Sequence, residues 1–144
     1  MDICPKLLNW EVQAKAGSMY NTPNTWGIYL AGLTFQWLKS IGGVKAIEAV
    51  NIEKAKLLYG FLDDSKLFRA TAQEKYRSRM NVTFVTGDAE KDAAFMKAAA
   101  AEGLVNLKGH RSVGGMRASI YNAMPIEGVQ KLVAFMKKFE AANA

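Results

Sequence analysis

The residues best suited to chemistry lie in one glycine-rich stretch, from Gly109 to Pro125, which reads GHRSVGGMRASIYNAMP. It contains Arg111 and Arg117 together with His110, the single histidine of the chain. Guanidinium groups bind carboxylate and phosphate oxygens through two parallel hydrogen bonds. Glycines allow positive φ angles and let a ligand approach the backbone closely. The stretch predicts an anion-binding loop between strands, although an arginine in a loop is more often solvated or paired with a carboxylate.

A second candidate anion site lies at Asn21 and Thr22, just before Pro23 and a predicted helix. The Asn21 amide, the Thr22 hydroxyl and the free backbone N–H groups of a helix start can all donate to a phosphate. The same two residue types are also common helix caps. This segment therefore has two interpretations, ligand binding and capping.

The charge distribution favours a small anionic partner. The formal net charge is +6, and residues 105 to 144 hold six basic residues against two acidic ones. Such a local excess attracts nucleic acid, an anionic membrane surface or a small phosphorylated metabolite. The sequence has no helix-turn-helix pattern, zinc-ligand spacing or aromatic RNA-binding motif, which argues against nucleic acid. A small phosphorylated molecule is the expected ligand.

Membrane insertion, export and metal binding are not predicted. The longest nearly apolar stretch, Trp26 to Leu38, is shorter than the roughly 20 residues that cross a bilayer. The amino terminus lacks the basic and apolar regions of an export signal. Cys4 is the only cysteine, so the sequence offers neither an intrachain disulfide nor a thiolate metal site. We expect a cytoplasmic protein without a metal.

Periodicity and turn residues predict the elements that position these groups. Residues 1–20 are expected to be irregular or extended. Helices are expected at 23–40, at 44–62, from the Asp88 cap to Gly103, and from Pro125 onward. Strands are expected at 80–85, 104–107 and 117–121. The order predicts an α+β fold in which a short sheet of about three strands has helices on one face and follows two long helices.

The apolar stripes predict which side chains are buried. In the second helix, Glu48, Lys54 and Lys56 are expected to lie outside the stripe formed by Ile47, Ala55, Leu58 and Leu62. In the last helix, one buried face is expected from Val129, Leu132, Val133, Met136 and Phe139. The first long helix is apolar nearly all round, so it should pack on several sides and, in this chain by itself, expose apolar area. Arg77 and Arg79 are expected to form a solvated strand edge.

The run GHRSVGGMRASIYNAMP resembles the signature of the phosphoserine aminotransferases. Further agreement with that family comes from the segments Ser18 to Pro23, Leu57 to Tyr59 and Arg77 to Val82, so the similarity extends over essentially the whole chain. Asn24 departs from the pattern, because the family commonly has a second proline there. That difference affects helix geometry more than chemistry.

The resemblance implies a type I aminotransferase fold that uses pyridoxal 5'-phosphate. Residues 1–22 would be a lead-in from a large domain, residues 23–64 long connecting helices, and residues 65–144 a small α+β domain. The family transfers an amino group between glutamate and 3-phosphohydroxypyruvate to make O-phosphoserine in serine biosynthesis, and often serves pyridoxine synthesis. Its members are cytoplasmic homodimers whose active sites lie at the subunit interface.

The resemblance also implies roles for single residues. Arg117 would hold the substrate α-carboxylate, His110 with Arg111 the substrate phosphate, and Asn21 with Thr22 the cofactor phosphate across the dimer. The family's Schiff-base lysine lies upstream of the asparagine–threonine motif, and neither Lys6 nor Lys15 has matching surroundings. The chain is therefore expected to be a carboxy-terminal fragment that contains no catalytic residue, does not retain the cofactor and is inactive alone.

Two alternatives stay open on the sequence. The first is a free-standing domain that binds phosphate and carboxylate groups, or pairs with another chain, without catalysis. The second is an aminotransferase for another keto acid. His110 and Arg111 argue against the second, because an uncharged substrate tail would leave those cations without a partner.

Overall fold

The computed structural model of the protein describes residues 3–143. In chain order its elements are α1 (Trp10–Lys15), α2 (Thr25–Ser40), α3 (Gly43–Asp64), β1 (Arg69–Ala70), β2 (Asn81–Val85), α4 (Ala89–Ala101), β3 (Met116–Ser119) and α5 (Ile126–Asn143). Short 3-10 turns occur at Lys6–Leu8 and Glu74–Tyr76. The elements form two compact units, one ending at Ile41 and the other beginning at Gly42. Among these helices, none combines the length and hydrophobicity needed to cross a membrane.

The expectation of an irregular or extended lead-in is wrong at α1. The Asn9 side chain caps this helix by accepting hydrogen bonds from the backbone N–H groups of Glu11 and Val12. Glu11 and Lys15, one turn apart, form an exposed ion pair at 2.6 Å. A side-chain cap contributes about 1 kcal/mol and an i,i+4 pair a few tenths, which favours a short helix over an extended segment.

The helix α2 begins two residues later than its proline suggests. The Asn24 side chain accepts a hydrogen bond from the backbone N–H of Gly27 at 3.0 Å, so Asn24 is the cap and Thr25 the first helical residue. Neither Asn21 nor Thr22 caps the helix. As expected for this chain by itself, α2 exposes several large apolar side chains, namely Trp26, Tyr29, Phe35 and Trp37.

The second unit contains an antiparallel sheet in the order β1-β2-β3. In the register of β2 with β3, Thr83 lies opposite Arg117 and Asn81 opposite Ser119. Because side chains alternate along a strand, one face of the sheet is buried, and Arg117 and Ser119 lie on the other. The buried face carries Val82, Phe84, Met116 and Ala118.

The prediction of a strand at residues 104–107 is wrong. Asn106 has a positive φ of 62°, which interrupts an extended chain, and only the end of this segment approaches the sheet, through a bridge between Lys108 and Met116. The third strand is instead β1, which pairs with β2 by placing Arg69 opposite Val85. Its two residues are too few to give an alternating pattern in the sequence.

The core of the second unit lies between the sheet and α3, α4 and α5. Phe68 lies at the centre of this core and is 1% exposed. Its ring packs against those of Phe84 and Phe95, with centroid distances of 6.0 and 5.0 Å. The helix α3 supplies Leu58 and Leu62. The predicted face of α5 is buried at Val129, Leu132, Val133 and Met136, with Phe139 partly buried.

Two basic residues lie in surroundings that differ from those expected. Lys54, predicted to lie outside the apolar stripe of α3, is 0% exposed because α3 is covered on more than one side. Arg77 is not a solvated edge residue: its guanidinium lies 4.6 Å from the Tyr59 ring centroid and donates to both carboxylate oxygens of Asp63, one at 2.7 Å. This hydrogen bonding lowers the pKa of Asp63.

Phe68→Ala should destabilise the second unit strongly. Removing a buried ring that is packed against several others leaves a cavity, so we expect the free energy of unfolding to fall by about 3–5 kcal/mol. Tyr76→Ala, at a position that is 71% exposed, is the control and should change it by about 0.5 kcal/mol or less. Urea unfolding followed by circular dichroism measures both. Equal effects of the two substitutions would contradict the central position of Phe68.

Asp63→Asn should remove a pH-dependent part of the stability. Because the folded-state pKa of Asp63 is lowered, the carboxylate stabilises the protein fully above its ordinary pKa of 3.8 and loses this effect as the pH falls through the folded value. The side chain is 50% exposed, so the loss at neutral pH should be at most about 1 kcal/mol. The measurement is urea unfolding across this pH range. Asp64→Asn, the neighbouring exposed carboxylate, should leave the profile unchanged.

Candidate anion-binding site

The glycine-rich stretch forms a closed hairpin that ends in β3. The backbone N–H of Gly109 donates to the Gly115 carbonyl at 2.9 Å, and that of Arg117 donates to the Leu107 carbonyl at 2.7 Å. Within the tip, the N–H groups of Val113 and Gly114 both donate to the His110 carbonyl at 2.9 Å. The hairpin therefore carries His110 and Arg111 at its tip and leads into β3, which carries Arg117.

Two of the glycines are required by the hairpin itself. A Cβ atom on Gly109 would lie 2.1 Å from the Gly114 carbonyl oxygen. Gly115 has a φ of 62°, and a Cβ atom there would lie 2.5 Å from Val85 Cγ1 and 3.1 Å from the Phe84 carbonyl oxygen. Side chains cannot be accommodated at either position without moving strand or loop backbone. The close approach at these glycines is thus between protein segments.

Arg117 has the environment of a binding residue. It is half-buried on the face of β3 opposite the core, and its Nε is buried without a hydrogen-bond partner. Across residues 3–143, no carboxylate forms an ion pair with Arg111 or Arg117. A guanidinium without a carboxylate partner inside the protein keeps its charge available for an external oxygen ligand.

An open cavity of about 790 Å³ adjoins β3, the 103–108 segment and the start of α5. Its lining includes three cationic residues, Lys108, Arg117 and Lys131, and contains no acidic residue. The Lys131 ammonium donates to the Glu102 carbonyl at 2.7 Å, which fixes one of the three. Apolar groups such as Ile120 and Met124 cover part of the remaining wall. The cavity therefore favours a small anion with some apolar surface.

The imidazole of His110 is held in one tautomer by Ser112. The Ser112 hydroxyl lies 2.7 Å from Nδ1, and the Ser112 backbone N–H also donates to Nδ1, at 3.3 Å. A backbone N–H can donate only to an unprotonated nitrogen, so Nδ1 is the acceptor in the neutral ring and Nε2 carries the hydrogen. His110 therefore offers an outward N–H donor at Nε2.

Asn21 and Thr22 belong to the first unit and lie in an exposed turn before α2. Because Asn24 provides the cap, neither residue is engaged at the helix start. In the portion of the chain that the structure describes, their side chains have no hydrogen-bond partner within the first unit. Both side chains can donate to a ligand.

Sequence reasoning missed Lys108 and Lys131 as lining residues of the cavity. The excess of basic residues in 105–144 was the available signal, but it could not separate these two from the others. They come together because the bridge from Lys108 to Met116 and the first turns of α5 meet beside β3. That arrangement depends on tertiary packing.

Comparisons with known proteins agree on one family. The aminotransferase class-V family profile matches residues 1–132. The chain is 57% identical to the phosphoserine aminotransferase of Ralstonia nicotianae over 99% of this chain and 38% of that protein. It is 55% identical to the phosphoserine aminotransferase of Bacillus cereus over 97% of this chain and 39% of that protein. It thus spans about two fifths of the length of these relatives.

Solved structures give the same result. The phosphoserine aminotransferase from Bacillus circulans subsp. alkalophilus superposes with a TM-score of 0.91 and 40% identity, over 100% of this chain and 40% of that one. The PLP-bound phosphoserine aminotransferase from Trichomonas vaginalis gives a TM-score of 0.84 and 41% identity, over 95% of this chain and 39% of that one. The α+β architecture described above is therefore that of part of these enzymes.

The tautomer of His110 can be tested directly because the chain has one histidine. Long-range ¹H–¹⁵N correlation spectra of the neutral imidazole should show a protonated Nε2 and an unprotonated Nδ1. In Ser112→Ala the hydroxyl contact is lost, so the preference for this tautomer should weaken. A wild-type spectrum in which Nδ1 carries the hydrogen would contradict the assignment.

Proposed function

Because the chain belongs to the class V aminotransferase family, we propose that it serves transamination between glutamate and 3-phosphohydroxypyruvate, which yields O-phosphoserine. The observation that carries this proposal is the Arg117 guanidinium, which is half-buried on β3 without a carboxylate partner in residues 3–143, at the end of a hairpin whose tip carries His110 and Arg111. The substrate has a carboxylate and a phosphate a few bonds apart. Such a molecule matches two separate donor groups on one hairpin.

The α-carboxylate is assigned to Arg117. Its strand is held in the middle of a hydrogen-bonded network, by β2 on one side and by the Leu107 carbonyl on the other. A fixed strand limits the freedom of the side chain, so less entropy is lost when the guanidinium binds. A fork of N–H donors on a fixed backbone also sets the orientation of the substrate, which is what a transfer reaction requires.

The substrate phosphate is assigned to His110 and Arg111. The Nε2–H of the imidazole and the Arg111 guanidinium lie at adjacent positions of the hairpin tip, and both side chains are exposed to ligand. Charge-assisted hydrogen bonds to a phosphate are roughly twice as strong as neutral ones. A keto acid with an uncharged tail would leave Arg111 without a counter-charge, which favours the phosphorylated substrate over other members of this substrate class.

Pyridoxal 5'-phosphate is the cofactor that we assign to the reaction, where it supplies the electron sink. Asn21 and Thr22 fit its phosphate, because both carry N–H or O–H donors that are not engaged in capping. We assign them to the cofactor of the neighbouring subunit in a homodimer. With these roles the chain contributes binding and orientation, and the family's catalytic lysine is not among its residues.

The biological setting that follows is serine biosynthesis, together with pyridoxine synthesis where the same enzyme serves both. The substrate and product are small, charged and phosphorylated, which is consistent with the local excess of basic residues in 105–144. We assign the protein to the cytoplasm, where such metabolites are kept. The division into a lead-in (1–22), connecting helices (23–64) and a small domain (65–144) is retained as part of this proposal.

A second candidate function is a free-standing domain that binds phosphate and carboxylate groups without catalysis. It is favoured by one observation: His110, Arg111, Arg117 and the cavity all lie within the second unit. Calorimetric titration of this chain with O-phosphoserine separates the two candidates. A complete binding domain saturates at a defined stoichiometry, whereas a part of an aminotransferase site binds weakly or not at all.

Arg117→Ala should remove most of the activity of the cofactor-loaded homodimer of the full-length aminotransferase that contains this chain. Loss of a charge-assisted contact to the α-carboxylate should lower kcat/KM for O-phosphoserine by about 100-fold, a change of nearly 3 kcal/mol. Arg117→Lys should restore only part of it, because a point charge cannot reproduce the guanidinium fork. The control is Arg79→Ala, which removes an exposed partner of Glu48. An unchanged kcat/KM in Arg117→Ala would overturn the carboxylate assignment.

A further inference from the structure

The helix α3 contains a lysine that is completely buried and has no acidic partner. Lys54 is 0% exposed, and its ammonium donates to the carbonyl oxygens of Ile120, Tyr121 and Met124 at 3.1, 2.8 and 3.0 Å. Throughout residues 3–143, no carboxylate lies within ion-pair distance of it. The three N–H groups of the ammonium are therefore matched by three carbonyl oxygens, which all belong to one turn of the chain.

This contact requires the protonated amine. An ammonium has three N–H donors and a neutral amine has two, so deprotonation would set a lone pair against a carbonyl oxygen. Burial opposes this charge and lowers the pKa of Lys54. An apolar side chain of similar volume often serves stability as well as a buried charge does. Lys54 is therefore better explained by the three carbonyl groups that it binds than by a gain in the free energy of unfolding.

The segment that Lys54 holds joins β3 to α5. Ile120 directly follows β3, three residues after Arg117, and both Ile120 and Met124 line the cavity. Inside the turn, the Met124 N–H donates to the Tyr121 carbonyl at 2.9 Å, so that oxygen has two donors. This is the YNAM half of the glycine-rich signature, for which the proposed function has no ligand role.

A second side chain of α3 reaches the same turn. The Asn51 side-chain N–H donates to the Asn122 side-chain oxygen at 2.7 Å, and Asn51 is 5% exposed. Asn51 and Lys54 are three positions apart, so they lie on the same face of α3. One helical turn of α3 therefore makes four hydrogen bonds to residues 120–124.

We propose that Lys54 is a positioning residue, which fixes the turn at Ile120–Met124 and thereby sets the wall of the cavity that Arg117 lines. Three carbonyl dipoles that converge on one point repel each other, and the ammonium is what keeps them together. Without it the turn opens, Met124 leaves the wall, and the ligand of Arg117 loses part of its enclosure. The identity of that ligand rests on the proposed function, whereas the fixing of the turn does not.

A purely structural role for Lys54 predicts a different result from a positioning role. If Lys54 only stabilised the fold, its removal would raise hydrogen exchange throughout the second unit. If it fixes the turn, exchange should rise selectively at the Met124 amide, whose acceptor lies in the turn, while the amides of β2 keep their protection. The two roles are therefore separated by where exchange changes.

The experiment compares Lys54→Met with Lys56→Met, an exposed lysine two positions along the same helix whose partner is Glu53. By NMR hydrogen exchange, Lys54→Met should speed exchange of the Met124 amide by about tenfold or more relative to β2, a change expected from losing buried hydrogen bonds. Lys56→Met should change neither the exchange rate of the Met124 amide nor those of the β2 amides. Asn51→Ala, which leaves Lys54 in place, should give a smaller increase at Met124 and tests the proposal should Lys54→Met fail to fold.

A rescue experiment separates position from stability. Lys54→Cys in a Cys4→Ser background, alkylated with bromoethylamine in the unfolded state and refolded, restores an ammonium at nearly the original distance. It should return Met124 exchange to within about twofold of wild type, whereas alkylation with a neutral reagent of similar size should not. Uniform changes across the second unit, or normal Met124 exchange in folded Lys54→Met and Asn51→Ala, would overturn the proposal.

The effect on the ligand is measured separately, with O-phosphoserine in the cofactor-loaded, full-length aminotransferase that contains this chain. Lys54→Met should raise KM by about tenfold with little change in kcat, since it alters enclosure and leaves the reacting groups in place. A selective change at Met124 with an unaltered KM would overturn the effect on the cavity. Absence of O-phosphoserine turnover in the wild-type full-length aminotransferase that contains this chain would refute the proposed function, while the exchange result would still decide whether Lys54 fixes the turn.

Discussion

The antiparallel pairing of β2 with β3 is the constraint on which the rest of the second unit depends. Its register places Met116 and Ala118 in the core and Arg117 on the opposite face. A shift by one residue would exchange these faces, burying a guanidinium and exposing apolar groups. Core packing and ligand recognition are thus set by the same ladder of hydrogen bonds. The hairpin from Leu107 to Arg117 extends the hydrogen bonding to the other side of β3, through the backbone N–H groups of Gly109 and Arg117.

Local signals in the sequence predicted much of this fold. The Asp88 cap, the left-handed Gly103 at φ 79° and the stripe of α5 depend on neighbouring residues, and they occur where periodicity indicated. The failures depend on distant contacts. Nothing near Asn106 shows that its φ is positive, and the partner of β1 is chosen by tertiary packing. Burial of Lys54 was missed because its carbonyl acceptors lie more than sixty residues away along the chain.

The candidate site was predictable to a similar extent. Residue types and glycines indicated an anion-binding hairpin, and the resemblance to phosphoserine aminotransferases assigned roles within it. The sequence alone could not distinguish a free arginine from a paired one. The structure separates them: Arg77 donates to both carboxylate oxygens of Asp63 and lies over an aromatic ring, whereas no carboxylate in residues 3–143 pairs with Arg117. A buried Nε without a hydrogen-bond partner is common to both arginines. Because Asp63 neutralises Arg77 and no carboxylate in the described part of the chain neutralises Arg117, Arg117 is the one that is available to an external anion.

The two sterically restricted glycines have a consequence for how this hairpin can diverge. Gly109 and Gly115 lie at the two ends of the tip, and any larger residue at either position would force the neighbouring backbone or side chain to move. Between them, the side chains of Arg111 and Val113 are exposed. Gene duplicates could therefore acquire preference for a different ligand tail by changing the tip alone. Arg117 on β3 would be inherited without alteration.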